Sequence, residues 1–367
     1  MRQLIRANVG LLGAALAAFV MMGAGQSIYG PALPAITRQF SLADGQASWL
    51  VSAHWLGCGV GVAAMYLTGP LFGPRHAVGA MAVGAAIVAA GFGWIITLLG
   101  AMIFGAGYGV ATVVFNPRVL QAFGARGPAM VSLINATFGV GAIVAPLLFV
   151  SAGSSPTISF ACVAVAAALI WLLAGGLNAP RAQDDTPLRA YHPRLGLMVF
   201  PVFAIGLEAC LIGLGPTALI AAGETELRAA TLLSAFFAAF LASRVALIFV
   251  AHRIAPFTLF TLAMVGAALC AIGAIAISAP MFFVPMGGFA GLFFPGFYVA
   301  ASRIMGTDPR VAPTIIAAGL VGGIPAPVIM SGVMNQLGTH GFFWIVAAVA
   351  TLVALAAVTL GRSAMRS

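Results

Sequence analysis

What most constrains this chain is a succession of apolar runs, each about as long as a bilayer is thick. Divided at Pro, Gly and charged residues, the sequence gives about twelve. The first six are 8–30, 47–69, 76–96, 97–119, 128–150 and 157–177; the last six are 195–221, 229–251, 256–277, 280–303, 312–334 and 341–361. About twenty apolar residues in helical form cross a hydrocarbon core. These runs are continuous and do not alternate polar with apolar, so they predict helices and not a β-barrel. Of 367 residues, 62% are hydrophobic and 6% charged, against about 25% charged in soluble domains. The 45 glycines suit helices that approach closely in lipid. The expected fold class is an all-α membrane protein with about twelve transmembrane helices.

Two connections are long, 31–46 and 178–194. The second is the most polar stretch, with Arg181, Asp184, Asp185, Arg189 and Arg194. It divides the chain into an N-terminal six-helix bundle (1–177), a linker (178–194) and a C-terminal six-helix bundle (195–367). The halves are similar to each other. Ala136, Val140, Gly141, Ile143, Ala145 and Pro146 in the fifth run match Ala317, Val321, Gly322, Ile324, Ala326 and Pro327 in the eleventh, at an offset of 181. An offset near half the chain, linking equivalent runs, favours a duplicated, pseudo-symmetric bundle over a chance match of small residues.

All sixteen basic residues are Arg, and the formal net charge is +9. Eleven of them sit in the termini or the even-numbered connections, Arg75, Arg126, Arg253 and Arg310 included. Arg118 and Arg303 close helices on that same side, while the odd-numbered connections hold only Arg38 and Arg228. The positive-inside rule then places both termini in the cytoplasm. The charge serves orientation, and no nucleic-acid partner is expected. Cys58, Cys162, Cys210 and Cys270 lie singly inside apolar runs and read as packing residues. Met1–Arg6 has the basic flank of a signal peptide, but the following run is long enough to be a retained first helix.

Glu208 is the one acidic residue in the core of an apolar run, roughly 20 Å from the start of its helix. A carboxylate at mid-membrane costs roughly 2.5–3.5 kcal/mol on insertion scales, so it is expected to face a bundle interior or a wet cavity. It has three readings: a proton carrier, a substrate contact accepting hydrogen bonds or pairing a cation, and a structural carboxylate held by neighbours. Arg244 lies roughly 10 Å deep in its helix; it reaches either toward Glu208 or, by snorkelling, toward the interface. Gln26, Tyr29, His54, Trp55, Asn116 and Asn135 are candidates for substrate binding, since planar amides and aromatic faces hold hydroxyl-rich solutes. Each is equally the kind of residue that ties helices together, and Asn116-Pro117 also reads as a helix break. His54 is of a type that titrates near neutral pH. Gly105-Ala-Gly107-Tyr-Gly109 follows no strand and reads as close helix packing, not as a nucleotide loop. No metal-ligand spacing or nucleophile–base arrangement is present, and no cofactor is expected.

Several stretches resemble the major facilitator superfamily, and within it the fucose:proton-symporter-like branch. Gly30-Pro-Ala-Leu-Pro-Ala-Ile-Thr-Arg-Gln-Phe40 is similar to its first-helix exit. Gly69-Pro-Leu-Phe-Gly-Pro-Arg75 stands where its Gly-x-Leu-x-Asp-Arg loop belongs, with Gly73 at the Asp position. Asn116, followed by Asn135-Ala-Thr-Phe-Gly, resembles the branch's fourth and fifth helices. Gly206-Leu-Glu-Ala-Cys-Leu-Ile-Gly213 is similar to its seventh helix, and Ser243-Arg244 stands at its eighth-helix Gly-Arg. The resemblance implies two parallel six-helix repeats with a site near mid-membrane. It implies structural or gating roles for Gly69, Arg75, Arg244 and Arg303. The branch carries an acid shortly before Leu-Pro, where this chain has Gly30, so Glu208 is not carried over as half of a coupling pair.

The expected function is secondary active transport of a small organic solute by alternating access in a bacterial inner membrane. Proton coupling through Glu208 and a sugar-like or other polar metabolite are favoured. The alternative is a proton-driven exporter of drugs or amphipathic metabolites, which the Met- and Phe-rich runs 281–286 and 291–295 permit. An enzyme would need paired acids, a metal cluster or an activated nucleophile. A receptor would need an added soluble domain. The expected partners are solute, protons and lipid bilayer, with the chain a monomer.

Overall fold

The computed structural model describes residues 8–68, 71–174, 194–250, 253–306 and 311–364. The chain forms α1 (Val9–Phe40), α2 (Trp49–Thr68), α3 (Pro74–Ala90), α4 (Trp94–Phe123), α5 (Gly127–Ser151) and α6 (Pro156–Leu173). It continues as α7 (Leu195–Ala221), α8 (Glu226–Val250), α9 (Pro256–Ala276), α10 (Ala279–Ala290) and α11 (Phe293–Met305). The last elements are α12 (Val311–Gly323), α13 (Ala326–Met334) and α14 (Gly341–Ala364). No strand occurs among the described residues. Ten helical stretches are long and apolar enough to cross a membrane, and Pro74–Ala90 and Pro156–Leu172 are shorter apolar helices. Together they make the twelve spans, with α10–α11 as the tenth and α12–α13 as the eleventh.

Local chemistry sets the ends. Proline stands in the first turn of α3, α6, α9 and α10, where its missing N–H has no helical acceptor to lose. Ser155 and Ser278 cap α6 and α10 by accepting hydrogen bonds from the amides of Ile158 and Met281. The first helix corrects the expected connection over 31–46. Pro31 and Pro34 do not end it, and it runs to Phe40. In lipid no water can take up freed backbone groups, so a helix carrying proline keeps its remaining bonds and continues. It stops at Ser41, which is left-handed (φ 50°), with the Ser41 and Leu42 amides donating to the Arg38 and Thr37 carbonyls. For the same reason α4 continues through Pro117 instead of breaking at Asn116. The polar linker, 178–194, lies outside the described residues except for Arg194.

The chain divides into two compact units. One comprises residues 1–42 and 49–183; the other comprises 43–48 and 184–367. Within the first, α1 packs on α5 and α6, α4 on α2 and α3, and α3 on α6. Within the second, α7 packs on α12 and α14, α8 and α9 on α10, and α9 on α14. These are the same pairings repeated. The joints repeat to the residue. A side chain at Gly141 would collide with the Val20 carbonyl, and one at Gly322 with the Val202 carbonyl. Gly105 and Gly109 abut the carbonyls of His54 and Cys58, while Gly287 and Gly291 abut those of Phe236 and Phe240. The offset within these sets is 181 or 182. In the second unit the short segment 43–48 is also held, the Ser48 and Ser331 hydroxyls lying 2.7 Å apart.

Candidate functional site

In the first unit, α1, α2 and α4 bring four of the candidates together. Gln26 and Tyr29 lie on α1, His54 and Trp55 on α2. All but Trp55 are buried, and Trp55 is half-buried. The His54 ring is 5.2 Å from Tyr29, 5.6 Å from Trp55 and 5.7 Å from Phe104. Tyr108 of α4 completes the group. Its ring lies 5.2 Å from His54 and 6.4 Å from Trp55, and its hydroxyl donates to the Gln26 carbonyl oxygen at 3.0 Å. The joints at Gly105 and Gly109 seat α4 directly on α2, which is what places Tyr108 here. The sequence reading took this stretch as packing only. The missed signal was a half-polar aromatic between two close-contact glycines.

Polar capacity is left over in this group. The Tyr29 hydroxyl and both His54 nitrogens are buried without a hydrogen-bond partner among the described residues. Buried polar atoms are rarely left so. The repeat sharpens the point, because at the 182 offset His54 corresponds to Phe236. The second unit fills that place with a phenyl ring stacked on Phe283 at 5.0 Å. An imidazole is therefore not what the packing requires.

Asn116 and Asn135 belong elsewhere. The Asn135 amide donates to the Asn116 carbonyl oxygen at 3.1 Å and to the Val131 carbonyl at 2.8 Å. Asn116 in turn donates to the Thr112 carbonyl. The pair ties α4 to α5, roughly 12 Å along α4 from Tyr108.

In the second unit, Glu208 lies halfway along α7, half-buried, with Oε2 buried and without a hydrogen-bond partner among the described residues. Arg244 is held inside the unit. Its Nε donates to the Gly291 carbonyl at 3.0 Å, and its guanidinium lies 4.3 Å from the Phe240 ring centroid. Gly291 follows α10, where carbonyls lack helical partners and attract a cation. At the same 182 offset Glu208 corresponds to Gln26. Each repeat thus carries one polar group at this level of its first helix, an amide in one and an acid in the other. Tyr108 corresponds to Ala290, so Glu208 has no counterpart of the phenol that holds Gln26.

Arg75 begins α3 and lies over the Trp171 ring of α6 at 4.0 Å. Arg303 is exposed in the last turn of α11. Gly69 lies outside the described residues. The four cysteines are free. Among the described residues no three His, Cys, Asp or Glu side chains gather as a metal site.

Comparison with curated protein sequences finds no match. Several solved structures share the fold. A D-xylose-proton symporter aligns at a TM-score of 0.77 and 16% identity, over 96% of this chain and 97% of that one. The nucleoside transporter NupG aligns at 0.74 and 14% identity, over 96% and 98%. The E. coli fucose:proton symporter FucP aligns at 0.62 and 18% identity, over 95% and 97%. The sequence profile described as Major Facilitator Superfamily matches residues 15–318, most of the chain. With twelve spans in two like halves and that match, the chain belongs to the Major Facilitator Superfamily and is a secondary transporter, not an enzyme.

Proposed function

We propose that this transporter moves a small hydroxyl-rich solute, with protons as the driving ion and Glu208 as the group that carries them. The observation that carries the reading is the buried, unpartnered Oε2 of Glu208 at the middle of α7. A carboxylate in that setting takes up or releases a proton at little structural expense, because no hydrogen bond holds it in one state. Arg244, held by the Gly291 carbonyl, is a positive charge in the same unit. The solute class rests on the first unit. Gln26 and Tyr108 offer a linked amide and phenol, His54 and Tyr29 offer unspent donors and acceptors, and Trp55 offers a half-buried face. Such a set hydrogen-bonds and stacks on a polyol ring. The names of three structural neighbours, a xylose symporter, a fucose symporter and a nucleoside transporter, fall in the same chemical class. We place the protein in a bacterial inner membrane as a monomer with cytoplasmic termini, and its halves at 1–177 and 195–367.

The test is proton flux in proteoliposomes screened with pooled sugars, nucleosides and amphipathic drugs, wild type beside Glu208→Gln. The expected result is solute-driven proton uptake in wild type, and solute exchange without proton flux in the variant. Normal coupling in the variant would sink the carrier role. A response to drugs alone would turn the reading to the amphipathic exporter.

A further inference from the structure

Each unit has a groove built on the same plan. The first, about 800 Å³, is bounded by α1, α5 and α6. The second, about 440 Å³, is bounded by α7, α12, α13 and α14. Their walls correspond through the repeat. Ala24, Leu148 and Ala166 line the first, and Gly206, Ile329 and Val349 line the second, at offsets of 181 to 183. Both open outward. Leu148 on one rim is 60% exposed, and Ile329 on the other is 63% exposed. Among the described residues, the second groove is lined by no side chain with a nitrogen or oxygen atom, its only heteroatoms being the sulfurs of Cys210 and Met330.

Among the groove-lining positions nearest Gln26 and Glu208 are Ala24 and Ile28 on α1, and Gly206 and Cys210 on α7. On a helix these lie about 200° around from Gln26 and Glu208 respectively. Neither Gln26 nor Glu208 lines a groove, and the grooves lie mainly on the far side of these helices, the second reaching as far round as Leu207.

We infer that both grooves are acyl-chain sites, each taking one hydrocarbon chain of a bilayer lipid that enters sideways. The helices that bound them cross the membrane, and what bathes their outward faces is hydrocarbon. A trough walled mainly by Ala and aliphatic side chains, with only the Ser151 and Ser159 hydroxyls and the Cys162 thiol in the first groove and the Cys210 thiol in the second, offers dispersion contact along its length and few polar groups to orient a solute. The shared feature decides between occupants. The halves differ at their polar positions, Gln26 against Glu208 and His54 against Phe236, yet keep the same apolar trough. An occupant common to both must be one that meets each unit in the same form, and the lipid does. A chain seated there braces α1 or α7 from behind, whatever solute is carried.

The test uses the full-length protein in vesicles of phosphatidylcholine carrying a photoactivatable diazirine at mid-chain, with cross-linked peptides read by mass spectrometry. Cross-links concentrated on α1, α5 and α6 and on α7, α12, α13 and α14 at groove residues are expected, above the level at the exposed Leu262 and Leu269 of α9. Ala166→Trp and Val349→Trp each plug one groove. Each variant should lose the enrichment at its own groove and keep it at the other, so the untouched groove reports that the variant has folded. Labelling that merely follows exposure on every outward helix would overturn the assignment. So would enrichment that survives the plugs, or displacement of the label by a transported solute.

Discussion

His54 sits where the other repeat places Phe236, and it brings two ring nitrogens that find no hydrogen-bond partner among the described residues. Burying such atoms unpaired costs about 1–3 kcal/mol. His54→Phe should therefore raise the thermal unfolding temperature in detergent while lowering solute uptake, as expected when stability is given up for function. A lower melting temperature with unchanged uptake would mean that the imidazole is structural. Tyr108→Phe removes the hydrogen bond to Gln26 and keeps the ring. At about 0.5–1.5 kcal/mol net, its loss should weaken solute binding about two- to twelvefold, read by equilibrium binding to the purified protein. Gln26, His54 and Trp55 could be picked from the sequence because each is polar or amphipathic in an apolar run. Tyr108 could not, since its meaning depends on which helix the neighbouring glycines press against. Nor could the Asn116–Asn135 pair be told from a binding pair, because a bond between helices leaves no local pattern.

At the level of elements, run length sufficed to place the helices, because lipid fixes how long a spanning helix must be. Proline misled the reading at Pro31, where the first run was expected to end, and the break that Asn116-Pro117 allowed as an alternative does not occur. That expectation belongs to water, in which freed carbonyls find new partners; a bilayer offers none. Conversely, the breaks at Gly291–Leu292 and Ile324–Pro325 divide runs that read as single helices. The first of these supplies the carbonyl that holds Arg244. The glycine joints carry their own prediction. Gly141→Val and Gly322→Val drive a side chain into the Val20 and Val202 carbonyls. Each should destabilise by about 1–3 kcal/mol, seen as a lowered melting temperature, and by similar amounts because the two joints are alike.

For the molecule as a whole, the charge pattern predicts which side each connection faces. With Cys58, Cys162, Cys210 and Cys270 replaced by Ser, Arg38→Cys should react with an impermeant maleimide added outside intact cells. Arg126→Cys should react only after the membrane is opened. Reversed accessibility would overturn the orientation. The duplication was readable in one pair of runs, Ala136–Pro146 against Ala317–Pro327. Elsewhere side chains have diverged, and the repeat shows in the helix pairings and in backbone contacts such as those at Gly105 and Gly287, or Gly109 and Gly291.

That pairing of joints makes the polypeptide its own reference sample. Amide hydrogen exchange measured on one preparation reports α1 against α5 and α7 against α12 under identical detergent, temperature and pH. A ligand that protects one member of the pair and not its twin has declared which half it engages, with no second protein needed for the comparison.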